Sequence, residues 1–282
     1  MNQPKTSHWT MEDINWSQLQ PESVSSDLLA VVKTAALVEA NSEDYVTYLH
    51  NVFPDDVEFR AAADHWGVEE AQHGAALGRW AELIDPDFDF AASLACFREV
   101  YRLPLDSEYS VRGSRAGELL ARCVVESGTC SFYSAIRDFT REPVLRQICT
   151  RIAQDESQHY RLFKRHAARY PRLSVWSRLK VALGRVFEAS DDEFGYAWYS
   201  ANHLNERDHR PYDRATCAGT YQGIATGMYR PNHVRTLVHM IGLALGLSPR
   251  NRMIPLVGSA FWWLLRRQNR RYRSAAASTG PA

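Results

Sequence analysis

The sequence predicts an all-α protein, and three observations predict it. Apolar residues recur at steps of three and four over long stretches, the period of an amphipathic helix. Runs of strict apolar–polar alternation are few, so little of the chain reads as strand. Capping residues and prolines fall between the periodic stretches instead of inside them. With 282 residues, 45% of them apolar, the chain is long enough to bury a sizeable core.

Residues 1–24 form a short N-terminal segment. The first long helix starts at a cap, Ser25 or Ser26, and runs to about Val52, before Pro54. Asp55 with Glu58 has the capping-box spacing for a second helix, which runs to about Ile84 and stops at "DPDFD". A shorter apolar segment, Phe90 to Tyr101, ends at Pro104. The third long helix runs from about Ser114 to Thr140. The fourth opens near Pro143, an acceptable first-turn proline, and ends near Tyr170, before Pro171. Residues 25–170 therefore read as one four-helix unit. Residues 171–282 read as a C-terminal helical extension with a weaker pattern. Within it, "NHLNERDHRPYDR" (202–214) is a polar connection. Its histidines and acids read as a solvated loop, because no helical register converges them on an ion.

Composition excludes several classes. Lys plus Arg and Asp plus Glu both total 33, and this balance argues against a nucleic-acid partner. Cys96, Cys123, Cys130, Cys149 and Cys217 are odd in number and never spaced as CxxC. They read as reduced thiols in a cytoplasmic protein, not as a disulfide framework or a zinc site. The opening "MNQPKTSHWTMEDINW" has no apolar core of a signal peptide. No apolar run approaches the roughly 18 residues of a bilayer span.

The inward stripes of the four long helices carry the chemistry. The first gives Val32, Ala36, Glu39, Glu43 and Val46; the second Ala63, Trp66, Glu70, His73, Leu77 and Trp80. The third gives Leu119, Cys123, Glu126, Cys130 and Tyr133; the fourth Cys149, Ile152, Glu156, His159 and Phe163. Each is apolar except near its middle, where glutamate, or glutamate followed three residues on by histidine, interrupts it. Residues i and i+3 share a helix face, so one helix can offer a carboxylate and an imidazole to one point. Burying four carboxylates together is prohibitive without compensation. Two divalent cations cancel four glutamates, while neutral histidines add no charge. This is the donor set of a carboxylate-bridged di-metal site. Glu39 to Glu70 spans 31 residues and Glu126 to Glu156 spans 30, which suits two similar antiparallel hairpins. Glu43 lies one turn beyond Glu39 and is the alternative ligand. The residue before each Glu-x-x-His is also acidic. Asp155 is expected to orient His73, and Glu69 to orient His159, since a ligating imidazole needs its other nitrogen held. Two solvated acids are the other reading.

At these residues the chain resembles the soluble acyl-acyl-carrier-protein desaturases of the ferritin-like superfamily. That family's first histidine motif reads EENRHG, against "EEAQHG" here; its fourth helix reads LAQICGTIAADEKRH, against "LRQICTRIAQDESQH" (145–159). It also carries a threonine three residues after the third-helix glutamate, matched by Thr129 after Glu126. The resemblance covers about residues 25–170 and fails beyond. It implies a ferritin-like four-helix bundle in which Glu39 and His73 bind one iron, Glu126 and His159 the other, and Glu70 and Glu156 bridge. Thr129 would assist proton delivery at the oxygen-binding face; its other reading is a helix threonine bonded to its own backbone.

The expected activity is O2-dependent oxidation by a non-haem di-iron enzyme (Fe2+/Fe3+), with desaturation of a fatty acyl chain on acyl carrier protein as the family's reaction. Manganese suits the same donors. Electrons would come from a separate donor such as ferredoxin, because no flavin, nicotinamide or CxxC iron module is present. The family also implies a homodimer. Trp66, Trp80, Phe132, Tyr133 and Phe163 read as a channel wall or as plain core, the latter being the commoner fate of aromatics at helical spacing. "RRQNRRYR" (266–273), after "FWWLL", reads in three ways: a docking patch for an acidic carrier, a solvated helix, or a basic amphipathic segment on an anionic membrane surface. Two other classes stand beside the enzyme: a ferritin-like iron-oxidising or peroxide-scavenging bundle, and a metal-free helical interaction protein.

Overall fold

A computed structural model of the chain describes residues 8–103, 105, 107–188, 192–203 and 211–278. Pro104 and most of the polar connection, residues 204–210, lie outside them. The described residues are all-α, with no strand. The helices are α1 (Ser26–Ala40), α2 (Ser42–Val52), α3 (Val57–Ile84), α4 (Phe90–Val100), α5 (Arg115–Phe139) and α6 (Pro143–Ala167). They are followed by α7 (Val175–Glu188), α8 (Asp192–Asn202), α9 (Arg214–Gly227), α10 (Pro231–Ala244) and α11 (Met253–Ser278).

The first long helix of the sequence pattern is in fact two. The chain breaks at Asn41 (φ −87°, ψ 20°), directly after the turn that carries Glu39. The break lies where α1 and α3 approach closely. A Cβ on Gly74 would lie 2.5 Å from the Ala40 backbone nitrogen, so only glycine lets the two backbones approach here. Arg98 of α4 supplies donors at the interruption: Nη2 to the Ala40 carbonyl (2.8 Å) and Nε to Asn41 Oδ1 (3.3 Å). The cap of α3 also differs from the expected one. Asp56 accepts from Phe59 N, while Asp55 is taken by Arg115 and Glu58 pairs with Arg169. Ser25 caps α1 and Ser114 caps α5. The α6 cap is Glu142, fully buried, which accepts from Val144 N, Leu145 N, Trp80 Nε1 and Gln20 N.

α1 packs along α3 and α5 along α6, and the two pairs meet where α3 faces α6. Two apolar clusters fill the interior. One is built on Leu37, Leu77, Trp80, Ile136 and Leu145; the other on Leu49, Phe59, Trp66, Leu119 and Phe163. Passing from one to the other along α3, α5 or α6, and along α1 into α2, crosses the glutamate or Glu-x-x-His of that element. The order of crossing makes α1 antiparallel to α3 and α5 antiparallel to α6. The acidic belt thus lies between two apolar blocks that hold it out of water. The C-terminal helices build outward: α8 packs on α1, α10 on α5, and α11 on α9 and α10. No helix among the described residues is long and apolar enough to cross a membrane.

Candidate metal centre

Six side chains converge between the apolar blocks: Glu39, Glu70, His73, Glu126, Glu156 and His159, all buried. Their donor atoms fall into two groups, each within 4.8 Å: Glu39, Glu70, His73 and Glu156, and Glu70, Glu126, Glu156 and His159. Glu70 and Glu156 belong to both. Glu43, the alternative to Glu39, is exposed at the start of α2, because the break at Asn41 turns it outward.

The imidazoles show which atoms face the centre. His73 Nδ1 lies 3.5 Å from Glu156 and 3.8 Å from both Glu39 and Glu70. His159 Nδ1 lies 3.0 Å from Glu70, 3.7 Å from Glu126 and 4.0 Å from Glu156. Neither Nδ1 makes a hydrogen bond, nor do Glu126 Oε1 and Glu156 Oε1, although all four atoms are buried. Buried polar atoms without partners are rare and costly. Donor pairs 3–4 Å apart are what ligands about 2.0–2.2 Å from a common ion require. Four carboxylates, two neutral imidazoles and orphaned lone pairs aimed at shared points fit two divalent ions.

The opposite imidazole nitrogens are held. His73 Nε2 pairs with Asp155 Oδ2 at 3.0 Å, and His159 Nε2 with Glu69 Oε2 at 2.7 Å. Each acid therefore serves the histidine of the other Glu-x-x-His helix. The same Asp155 oxygen accepts from Trp9 Nε1 (2.6 Å), whose ring stacks parallel to that of His73 with centroids 6.1 Å apart. Glu69 also meets His8 (3.0 Å) and His65 (3.3 Å). Sequence reading missed Trp9 and His8, which lie outside any periodic stretch. Tyr133, read there as wall or core, donates to Glu39 Oε1.

Electrostatics set the protonation of the metal-free cluster. Burial, reinforced by Glu70, holds the Glu39 carboxyl well above the usual range; burial and Glu156 do the same to Glu126. Burial would raise Glu70 too, but the Glu39 carboxyl and the nearby His159 and His73 imidazoles bring it well below. Burial disfavours both imidazolium ions, yet the surrounding carboxylates outweigh it, and His73 and His159 stand well above the usual imidazole value. Protons on Glu39, Glu126, His73 and His159 thus offset part of the buried negative charge.

Thr129, half-buried, donates to Glu156 Oε2 and also lies 3.3 Å from the Val125 and Glu126 carbonyls, so its hydroxyl is shared between a cluster carboxylate and its own backbone. Trp66, Trp80, Tyr133 and Phe163 are packed core, and Phe132 is half-buried against Tyr133 and Tyr221. Trp80 is further fixed by Glu142 (2.8 Å). Compared with known proteins, the chain matches no family model and no curated relative.

Proposed function

We propose that the protein is a di-iron, O2-dependent oxidoreductase of the acyl-acyl-carrier-protein desaturase type, oxidising an acyl chain held on a carrier protein. One observation carries the metal part: two Glu/Glu-x-x-His sets share Glu70 and Glu156 and leave both histidine Nδ1 atoms buried without a partner. The substrate part rests on the resemblance of "EEAQHG" and "LRQICTRIAQDESQH" to that family. When bound, two iron ions would supply oxygen activation strong enough to remove hydrogen from an unactivated C–H bond. Glu39 and His73 would hold one ion, Glu126 and His159 the other, with Glu70 and Glu156 between them. Asp155 and Glu69 fix the tautomer and tilt of the two imidazoles. Thr129 can hold or pass a proton at Glu156 Oε2. The apolar blocks on either side exclude water and raise the strength of every charge interaction in between. Electrons would come from a separate donor protein such as ferredoxin.

The packing of Trp66, Trp80 and Phe163 into the core favours a second reading, an iron-oxidising or peroxide-scavenging protein, which needs no substrate channel. Oxygen uptake by the iron-loaded, chemically reduced protein separates the two. Uptake accelerated by a long-chain acyl carrier protein, with a new double bond in the recovered chain, supports the desaturase. Equal uptake without it moves the iron or peroxide reading to first place.

A further inference from the structure

The chain is neutral overall but its charge is segregated. After Asp213 there is no aspartate or glutamate, and residues 214–282 carry ten arginines. The acids, 33 in all, are confined to the first 213 residues.

Within this cationic segment, α11 has two distinct faces. Its inner face packs: Ile254 is buried, Gly258 lies against Arg235 of α10, and Asn269 Nδ2 donates to the Gly223 carbonyl of α9 (2.9 Å). Its outer face is apolar over three turns and is left exposed by the described residues. Met253 is 59% exposed, Leu256 63%, Val257 50%, Trp263 58% and Leu264 53%. These positions repeat at three and four, so they form one stripe and not scattered exposure. Arg250 and Arg252 precede the stripe, and Arg266 and Arg267 follow it, all exposed, with the Arg267 guanidinium 5.5 Å from the Trp263 ring centroid. α7 adds a second exposed tryptophan, Trp176, 81% exposed. That helix is tied to the turn before α11 by Arg178 Nη1, which donates to the Leu245 carbonyl.

We propose that the outer face of α11 is a membrane-surface anchor that docks this protein on an anionic phospholipid bilayer. Apolar side chains with tryptophan enter the headgroup–acyl boundary, and arginines reach the phosphates on either side. A second copy of the chain is a poor occupant, because a self-complementary contact would set these arginines against each other. An acidic protein would satisfy the arginines but not the three turns of exposed apolar side chains between them. The anchor requires no metal and is independent of the reaction proposed above.

The test is co-sedimentation of the full chain with vesicles of equimolar phosphatidylglycerol and phosphatidylcholine, and with phosphatidylcholine alone. Binding to the anionic vesicles is expected to be about tenfold tighter or more, and to weaken at high salt. Leu256→Asp with Trp263→Asp should abolish it while circular dichroism and metal content stay as in the parent. Arg266→Gln with Arg267→Gln should weaken it and provides the deciding variant if the first pair fails to fold. The proposal is overturned if the parent ignores anionic vesicles, if binding survives both pairs of substitutions, or if the face instead binds an acyl carrier protein or a second copy and no lipid.

Discussion

Asp155→Asn separates the charge behind His73 from the hydrogen bonds behind it. Both donors on Asp155, His73 Nε2 at 3.0 Å and Trp9 Nε1 at 2.6 Å, use the same oxygen, Oδ2. An asparagine whose carbonyl oxygen takes that place keeps both bonds and loses only the negative charge. A hydrogen bond to a charged group contributes about 1.5–3 kcal/mol and a neutral one about 0.5–1.5. The two bonds together thus weaken by about 2–3 kcal/mol. The part acting through imidazole basicity should appear as a loss of about 10–100-fold in metal affinity. Asp155→Ala goes further. It leaves two buried donors without an acceptor, at about 1–3 kcal/mol each, so it should also lower the stability of the metal-free protein. Competitive titration against a chelator reads the affinity, and denaturant unfolding of the metal-free protein reads the stability. Asp155→Asn binding metal as tightly as the parent would show that the Asp155 charge does not support His73, and an alanine variant no less stable than the asparagine one would show that the two donors do not need an acceptor there.

Further outcomes follow from neighbouring features. Gly74→Val sets side-chain atoms against the backbone of Ala40, where even a Cβ would sit 2.5–2.8 Å from it, and should cost about 1–3 kcal/mol in denaturant unfolding. Glu142→Ala removes the α6 cap and strands the Trp80 and Gln20 donors; about 2–4 kcal/mol of stability should go. His73 and His159 hold their protons more tightly folded than unfolded, so their stabilisation of the metal-free protein is complete below the ordinary imidazole value of about 6.5 and is lost as the pH rises through their raised values. The melting temperature in chelator should therefore fall from mildly acidic to alkaline pH. Metal loading should release protons, measurable by calorimetry in buffers of different ionisation enthalpy, and a heat independent of buffer would contradict the protonation described here.

Much of this centre was legible in the sequence because it is built from local periodicity. The apolar stripes fix which side of each helix turns inward, and a glutamate in mid-stripe must then be buried. Glu69 and Asp155, one position before each motif, were legible for the same reason. What was illegible depends on contacts between distant residues. The break at Asn41 has no proline to announce it; it arises where Ala40 meets Gly74 on another helix and Arg98 on a third. Trp9 reaches Asp155 across 146 residues of chain from a segment without helical repeat. The capping-box spacing at Asp55 and Glu58 was misleading because two arginines, Arg115 and Arg169, compete for those carboxylates. The apolar outer face of α11 carries a core-like repeat, and only the packed structure shows that no described residue covers it.

The most direct measurement is an anaerobic titration of the metal-free protein with ferrous iron, followed by metal analysis and Mössbauer spectroscopy. A pair of coupled ions per chain is expected, with both lost together in Glu70→Ala or Glu156→Ala because those carboxylates belong to both groups. No uptake, a single ion, or a pair indifferent to both substitutions would contradict a shared di-metal centre.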